Sequence, residues 1–202
     1  MAEPPPAAPA DLGDWTTLAT GSADQRRAHA VLARHRPFDR LDGFDTGLAG
    51  TFPLDIAVPG SDLDILVHAP DPAGLAPLVD AAFGGQALYA RRLIMAADGP
   101  ALVAGFLLDG LPLEIFAQGQ PVARQAGWRH MLVEARLLAL APGLRGEIRA
   151  LKAAGMKTEP AFCHLLGLTG DPYAALASLE NLDNTALYGI LAHRRPAMHG
   201  EG

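Results

Sequence analysis

The sequence has a single cysteine, Cys163, among 202 residues. No disulfide can form within the chain, and a reducing, cytoplasmic setting is the expectation. No apolar run reaches the length of a membrane-spanning helix. The start, MAEPPPAAPADLGD, has neither the basic residues nor the apolar stretch of a secretory signal. Residues 1–12 read instead as a disordered, partly polyproline-like tail. An excess of positive charge is also missing. The net charge is -6, which offers no bulk attraction to nucleic acid or to an anionic membrane. His68, His164, His193 and His199 lack metal-ligand spacing such as His-Glu-x-x-His, which sets zinc aside. No Ser-His-Asp order, no GxGxxG after a strand, no Walker loop and no internal repeat is present.

Half of the residues are hydrophobic and 19% are charged, a composition that supports a packed core. Apolar spacing predicts a helix over about residues 23–34, with Ser22 as its cap and Pro37 beyond its end. Residues 44–50 predict a short strand, and LDILVH, after the Pro59-Gly60 turn, a second one. Residues 71–85 predict a helix with Asp71 as cap and Pro72 in the first turn. ALYARRLIMAA reads as a strand. ALVAGFLLDGLPLEIFA reads as a hairpin turning at Asp109-Gly110, two residues that tolerate positive φ. From Pro121 onward the texture is helical. Trp128, Met131, Leu132, Ala135, Leu138 and Ala139 mark one face of a long helix, and shorter helices follow. The expectation is a disordered tail at 1–12, an α/β core at 13–120 with a mixed sheet and flanking helices, and a helical region at 121–202 packing on that core.

Two carboxylates interrupt the strand segment GSDLDILV. In a strand, residues i and i+2 share a face, so Asp62 and Asp64 would project together, Cα atoms about 6.6 Å apart. Leu63 and Ile65 would face the core. Carboxylates so placed repel unless a cation lies between them, and hard divalent ions favour oxygen ligands and phosphate oxygens. A third carboxylate, Glu114, interrupts the second hairpin strand between Leu113 and Ile115. If that hairpin lies beside the Asp62/Asp64 strand, three carboxylates converge, enough for a two-metal phosphoryl-transfer site. The plainer reading is that Asp62 caps a turn and Asp64 faces solvent.

Gly50-Thr51, the gap before Asp62-Leu63-Asp64, and the later Glu114 together resemble the polymerase-β-like nucleotidyltransferase superfamily. That pattern has a Gly-Ser pair, an Asp-x-Asp on a strand and a further acid on another strand; Thr51 stands here for the Ser. More narrowly, GTFPLDIAVPGSDLDI, LEIFAQGQPVARQAGWRHM and LKAAGMKTEPAFCHLLGLTGDPYAAL resemble a bacterial domain-of-unknown-function family within it. The resemblance implies a nucleotidyltransferase fold. It implies that Gly50 and Thr51 hold a nucleoside triphosphate, that Asp62 and Asp64 hold Mg²⁺ or Mn²⁺, and that Glu114 completes the metal site or acts as base; Ser61 is a further candidate to contact the nucleotide. The implied partners are an NTP and a hydroxyl or phosphate acceptor, with nucleic acid not favoured by the acidic charge. The alternative is a nucleotide-binding or interaction module that keeps the fold without turnover.

Gln118, Gln120, Arg124, Gln125, Arg129 and His130 form a second polar group just after the Glu114 strand, either phosphate-capable or a solvated helix face, and Lys152 and Lys157 form a third in LKAAGMKTEPAF. Thr158 reads as a helix N-cap, and a helix N-terminus attracts anions, so the two lysines are candidates to meet phosphate there. Capping plus exposed lysines is the plainer account. Cys163 reads as a small buried residue, not a reactive thiol.

Overall fold

The structure is a computed structural model describing residues 11–194. It forms two compact units, one of residues Asp11–Trp128 and one from Arg129 onward. Residues 1–10 of the expected tail lie outside the described residues. Asp11 and Leu12 belong to a turn, with Leu12 buried.

In the first unit, α1 (Ala23–His35) opens with a complete capping box between Ser22 and Gln25. It ends at Arg36, a left-handed residue just before Pro37. β1 (Thr46–Ala49) and β2 (Leu63–His68) pair antiparallel. α2 (Pro72–Phe83) leads to β3 (Ala87–Ala96), β4 (Gly99–Leu108) and β5 (Leu111–Gln118). The β4–β5 turn places Asp109 and Gly110 at φ 49° and 77°, as the dipeptide predicts. The sheet order is β1-β2-β5-β4-β3. β2 and β5 are parallel and central, and the other neighbours are antiparallel. The expected mixed sheet with flanking helices is thus the fold.

One sheet face forms the core. Leu63, Ile65 and Val67 of β2 and Leu113, Ile115 and Ala117 of β5 meet Leu32 of α1 and Leu75, Val79 and Phe83 of α2. Period-2 alternation then turns Asp64 and Glu114 to the other face.

α3 (Ala126–Leu140) carries the chain into the second unit, which holds α4 (Leu144–Ala153), α5 (Thr158–Leu166), α6 (Pro172–Ala177) and α7 (Asn184–Ala192). The division falls after Trp128. On α3 the buried set is His130, Met131, Val133, Glu134, Ala135, Leu137 and Leu138, while Leu132 and Ala139 are half-buried. The buried face is therefore wider than the expected stripe and includes two polar residues. Arg136 ties the unit together by donating to Glu180 O at 2.9 Å, Leu182 O at 2.6 Å and Asn184 Oδ1 at 2.8 Å.

Candidate active site

β1 ends at Ala49, and Gly50 follows with φ 78°. A Cβ at Gly50 would lie 1.9 Å from Asp64 Oδ2, so backbone and carboxylate occupy a space no side chain fits. The next residues form a pinned loop. Ile56 N–H donates to Thr51 O at 3.1 Å, and Asp55 N–H donates to Phe52 O at 3.1 Å. Gln25 Nε2 donates to the same Phe52 O at 2.8 Å, while its Oε1 accepts from Ser22 N–H at 2.9 Å. The helix cap thereby anchors the loop. Thr51 is buried, and its hydroxyl oxygen has no hydrogen-bond partner in the protein.

Asp64 lies between Ala49 of β1 and Glu114 of β5 in direct register. Neighbouring strands stand about 4.8 Å apart, so the two carboxyl-bearing positions are adjacent, and both are half-buried. Their sequence neighbours Leu63, Ile65, Leu113 and Ile115 are buried on the core face.

Asp62 departs from the expectation. β2 starts at Leu63, so Asp62 precedes the strand and is exposed. The strand start at Leu63 is the expected one, and a hydrogen-bonded turn precedes Asp62. Ser61 N–H donates to Val58 O, and Val58 N–H donates to Ser61 Oγ, both at 2.9 Å. Strand alternation therefore does not fix where Asp62 points, and the Ser61 hydroxyl serves the turn. Among the described residues, no three His, Cys, Asp or Glu side chains are gathered to hold a metal ion. The structure brings together Asp64 and Glu114 beside Gly50, with Thr51 one residue along the same loop. It does not form the expected three-carboxylate cage.

Arg129, His130, Lys152 and Lys157 belong to the second unit. Arg129 Nε donates to both carboxylate oxygens of Glu180, at 2.9 and 3.0 Å. His130 Nδ1 lies 3.7 Å from Glu159 Oε1, within ion-pair reach but beyond a hydrogen bond. Lys152 Nζ donates to Thr158 Oγ1 at 2.8 Å. Thr158 is the first residue of α5, not its cap; Lys157 is the N-cap residue and makes no side-chain cap bond. Glu159 occupies the first turn of that helix, which works against phosphate there.

Sequence reasoning missed Glu134 and Glu159. Burial pushes the Glu134 carboxyl well above its ordinary value; the charge of Glu159 adds to this and Lys152 opposes it. Burial also raises Glu159, but His130, the residue's own backbone N–H and Lys152 outweigh it and hold that carboxyl below its ordinary value. A glutamate within an apolar helical face was the available signal. Cys163 is buried and donates to Pro172 O at 3.3 Å; burial, then the nearby acids Glu159, Asp171 and Glu134, push its thiol up.

The sequence matches the family described as Domain of unknown function (DUF4269) over residues 30–179. No curated protein matches the chain. Among solved structures, the poly(A) polymerase complex GLD-2–GLD-3 is similar at 13% identity and TM-score 0.46, over 71% of this chain and 48% of that one. The polymerase core of TRAMP, an RNA surveillance complex, is similar at 15% identity and TM-score 0.49, over 90% of this chain and 60% of that one. A GLD-2/RNP-8 complex is similar at 13% identity and TM-score 0.48, over 88% and 79%. The chain thus spans about half the length of the first of these, 48%, and 60% of the second. Likenesses at such scores carry no inference about activity.

Proposed function

The chain belongs to the family described as Domain of unknown function (DUF4269), and for it we propose Mg²⁺-dependent transfer of a nucleoside monophosphate from an NTP to a hydroxyl or phosphate acceptor, releasing pyrophosphate. The observation that carries this reading is the register pair Asp64–Glu114 on the two central parallel strands, beside the Gly50-Thr51 loop. Two all-oxygen donors suit a hard divalent ion, Mg²⁺ or Mn²⁺. Mg²⁺ is commonly held by one or two carboxylates and completes its shell with water and substrate phosphates. The two-carboxylate arrangement fits that mode, so the two-metal cage built on three acids gives way to a site finished by the nucleotide.

Asp64 and Glu114 would hold the ion, with exposed Asp62 as a third carboxylate nearby in sequence. Bound there, the ion would neutralise charge on the phosphate oxygens and the leaving pyrophosphate. Gly50, lacking a side chain, lets the Asp64 carboxylate lie against the loop backbone. The Thr51 hydroxyl, buried without a partner, would donate to a phosphate oxygen. Glu114 would take the proton of the acceptor hydroxyl as its oxygen attacks the α-phosphorus and the bond to the β-phosphate oxygen breaks. Phosphate contacts by Arg129, His130, Lys152 and Lys157 are not part of this proposal, which rests on the first unit alone. No helix among the described residues is long and apolar enough to cross a membrane, and we place the activity in the cytoplasm as part of the same proposal.

The rival reading is a nucleotide-binding module without turnover, favoured by the lack of a three-ligand group among the described residues. Titration of ATP, GTP, CTP and UTP, with and without Mg²⁺, into the wild type and Asp64→Asn tests the nucleotide site. Metal-dependent binding lost in the variant supports it, and metal-independent binding favours the module. No binding of any NTP overturns both.

A further inference from the structure

The sheet face that carries Asp64 and Glu114 extends past them toward β3. Residues paired across strands share a face. Register places one row across it: Ala49, Asp64, Glu114, Gly105 and Ala90, on β1, β2, β5, β4 and β3 in turn. The row beside it holds Leu66, Phe116, Val103 and Arg92 on the last four of those strands. Beyond Glu114 the first row has almost no side chain. A Cβ at Gly105 would have one heavy atom within reach, Leu113 O at 4.0 Å. Open space therefore lies above the sheet directly beside Glu114.

Glycine inside a strand weakens it and commonly marks a bulge, a bend or the close approach of a ligand. Backbone geometry does not demand glycine at this place. Gly105 has no positive φ, and its register with β5 is unbroken from Ala101 to Leu108. The irregularity of β3 lies between Ala87 and Ala90, beyond the Ala90–Gly105 pair.

Charge on this part of the face is confined to two residues. Glu114 is the charged residue of β5, β4 has none, and β3 has Arg91 and Arg92. Arg91 is on the opposite face, where its Nε and Nη2 donate to the Asp80 carboxylate at 2.6 and 2.8 Å. Arg92 shares the face of Glu114. It is exposed and makes no hydrogen bond or ion pair among the described residues. Two strand spacings across and one row along separate Glu114 from Arg92, about 12 Å between Cα atoms. Both side chains are long enough to reach into that gap, which leaves room for a molecule of a few carbon atoms.

We propose that this shelf is the acceptor subsite, and that the acceptor is a small hydroxylated anion whose phosphate or carboxylate pairs with Arg92. The proposal rests on the nucleotidyl-transfer reading of the Asp64–Glu114 pair. The acceptor hydroxyl lies at Glu114 and gives it its proton. The hydroxyl oxygen bonds to the α-phosphorus as the bond to the β-phosphate oxygen breaks and pyrophosphate leaves. The body of the acceptor crosses Gly105, and its anionic group meets the guanidinium, whose planar fork suits phosphate and carboxylate. Electrostatics select the anion. A divalent ion cancels the charges of Asp64 and Glu114, so Arg92 supplies the uncompensated charge of the shelf. A cationic acceptor would meet no acid there. The phosphates of the nucleotide itself are the other candidates for Arg92, and position argues against them. The Gly50-Thr51 loop follows β1, and four strand spacings, about 19 Å, separate β1 from β3.

Calorimetric titration of the full chain in Mg²⁺ without nucleotide tests this, with glycerol 3-phosphate, glycerate, glycerol and choline as probes. The proteins are the wild type, Arg92→Ala, Arg92→Lys and Gly105→Val. Both anions are expected to bind the wild type, and glycerol and choline far more weakly. Arg92→Ala should weaken the anions by about tenfold or more, and Arg92→Lys should recover part of the loss because it keeps the charge without the fork. Gly105→Val separates occupancy from folding. It should raise Tm, since valine favours a strand and its side chain enters open space, yet lose the anions. NTP titration of the same proteins separates this proposal from the reading beneath it, and Arg92→Ala should affect NTP affinity far less than anion affinity. A wild type that binds neither anion, anion binding unchanged in Arg92→Ala or Gly105→Val, or choline bound as tightly as glycerol 3-phosphate overturns the subsite, while NTP binding leaves the transfer reading standing. An equal loss of NTP affinity in Arg92→Ala assigns the guanidinium to the nucleotide and overturns the subsite too. A wild type that binds no NTP overturns the transfer reading, and the acceptor role of the shelf falls with it.

Discussion

Gly50→Ala probes the contact on which the candidate site is built. Two costs arise. The residue sits at φ 78°, and a Cβ in the left-handed region costs about 1–2 kcal/mol. The new Cβ would also lie 1.9 Å from Asp64 Oδ2, so that carboxylate must leave its rotamer, at roughly 0.5–1.5 kcal/mol. The sum is about 1.5–3.5 kcal/mol. For a chain of this size each kcal/mol lowers Tm by about 2–4 °C, giving a fall of about 3–14 °C. Gly60→Ala is the matched control. Gly60 has φ 88° with nothing within 4 Å of a Cβ, so it carries the backbone cost without the contact, about 2–8 °C. The entropy an alanine removes from the unfolded chain is common to both and cancels in the comparison. Thermal and urea unfolding of both variants measure the difference, which should vanish in an Asp64→Ala background. Gly50→Ala should also lose NTP binding, because Asp64 is displaced from Glu114, while Gly60→Ala should keep it. Equal destabilisation of the two variants, or wild-type NTP binding by Gly50→Ala, would refute the reasoning.

Thr51→Val should leave stability unchanged or raise it by about 1 kcal/mol, since it removes a buried hydroxyl without a partner; nucleotide affinity should fall roughly tenfold or more, and unchanged affinity by titration would contradict the phosphate role. Gln25→Ala should destabilise by about 1–2 kcal/mol through loss of the cap and of the bond to Phe52 O; hydrogen exchange should show faster opening at Asp55 and Ile56, whose N–H groups close that loop. Glu134 has a raised folded-state pKa, so the stability it contributes is complete below the ordinary carboxylate range and is lost as pH rises toward the raised value. Glu134→Gln should flatten the fall of Tm with rising pH, and a steeper fall in the variant would contradict this. Arg129→Ala should cost no more than about 1 kcal/mol, because its ion pair with Glu180 is largely solvent-facing; double-mutant cycles with Glu180→Ala measure it.

Much of the candidate site's local geometry was legible because its signals are local. Carboxylates at Asp64 and Glu114 interrupt apolar alternation, and alternation alone sets the face on which each stands. Asp109-Gly110 announces the hairpin and Ser22 the first helix. What sequence could not supply was pairing. That β2 and β5 are neighbours, in parallel register, depends on the α2–β3–β4 excursion returning the chain to the middle of the sheet. The strand LDILVH is legible with its true start at Leu63; the shared-face argument for Asp62 failed because Asp62 lies one residue before that strand, after the turn closed by Val58 and Ser61, where alternation sets no face. Thr158 was misplaced by a single residue, a boundary set by Lys157 adopting extended geometry. The Gln25–Phe52 contact was invisible because its two residues are joined only by tertiary structure, although the capping box itself can be read from Ser22 and Gln25.

The central claim is that Asp64 and Glu114 act as one ligand pair, and its most direct test is a calorimetric titration of NTP with Mg²⁺. It would use the wild type, Asp64→Asn, Glu114→Gln and the double variant. The account predicts that each single change loses the metal-dependent binding and that the double change loses no more than either alone, as for groups acting as a unit. Wild-type, metal-dependent affinity in Glu114→Gln would contradict it.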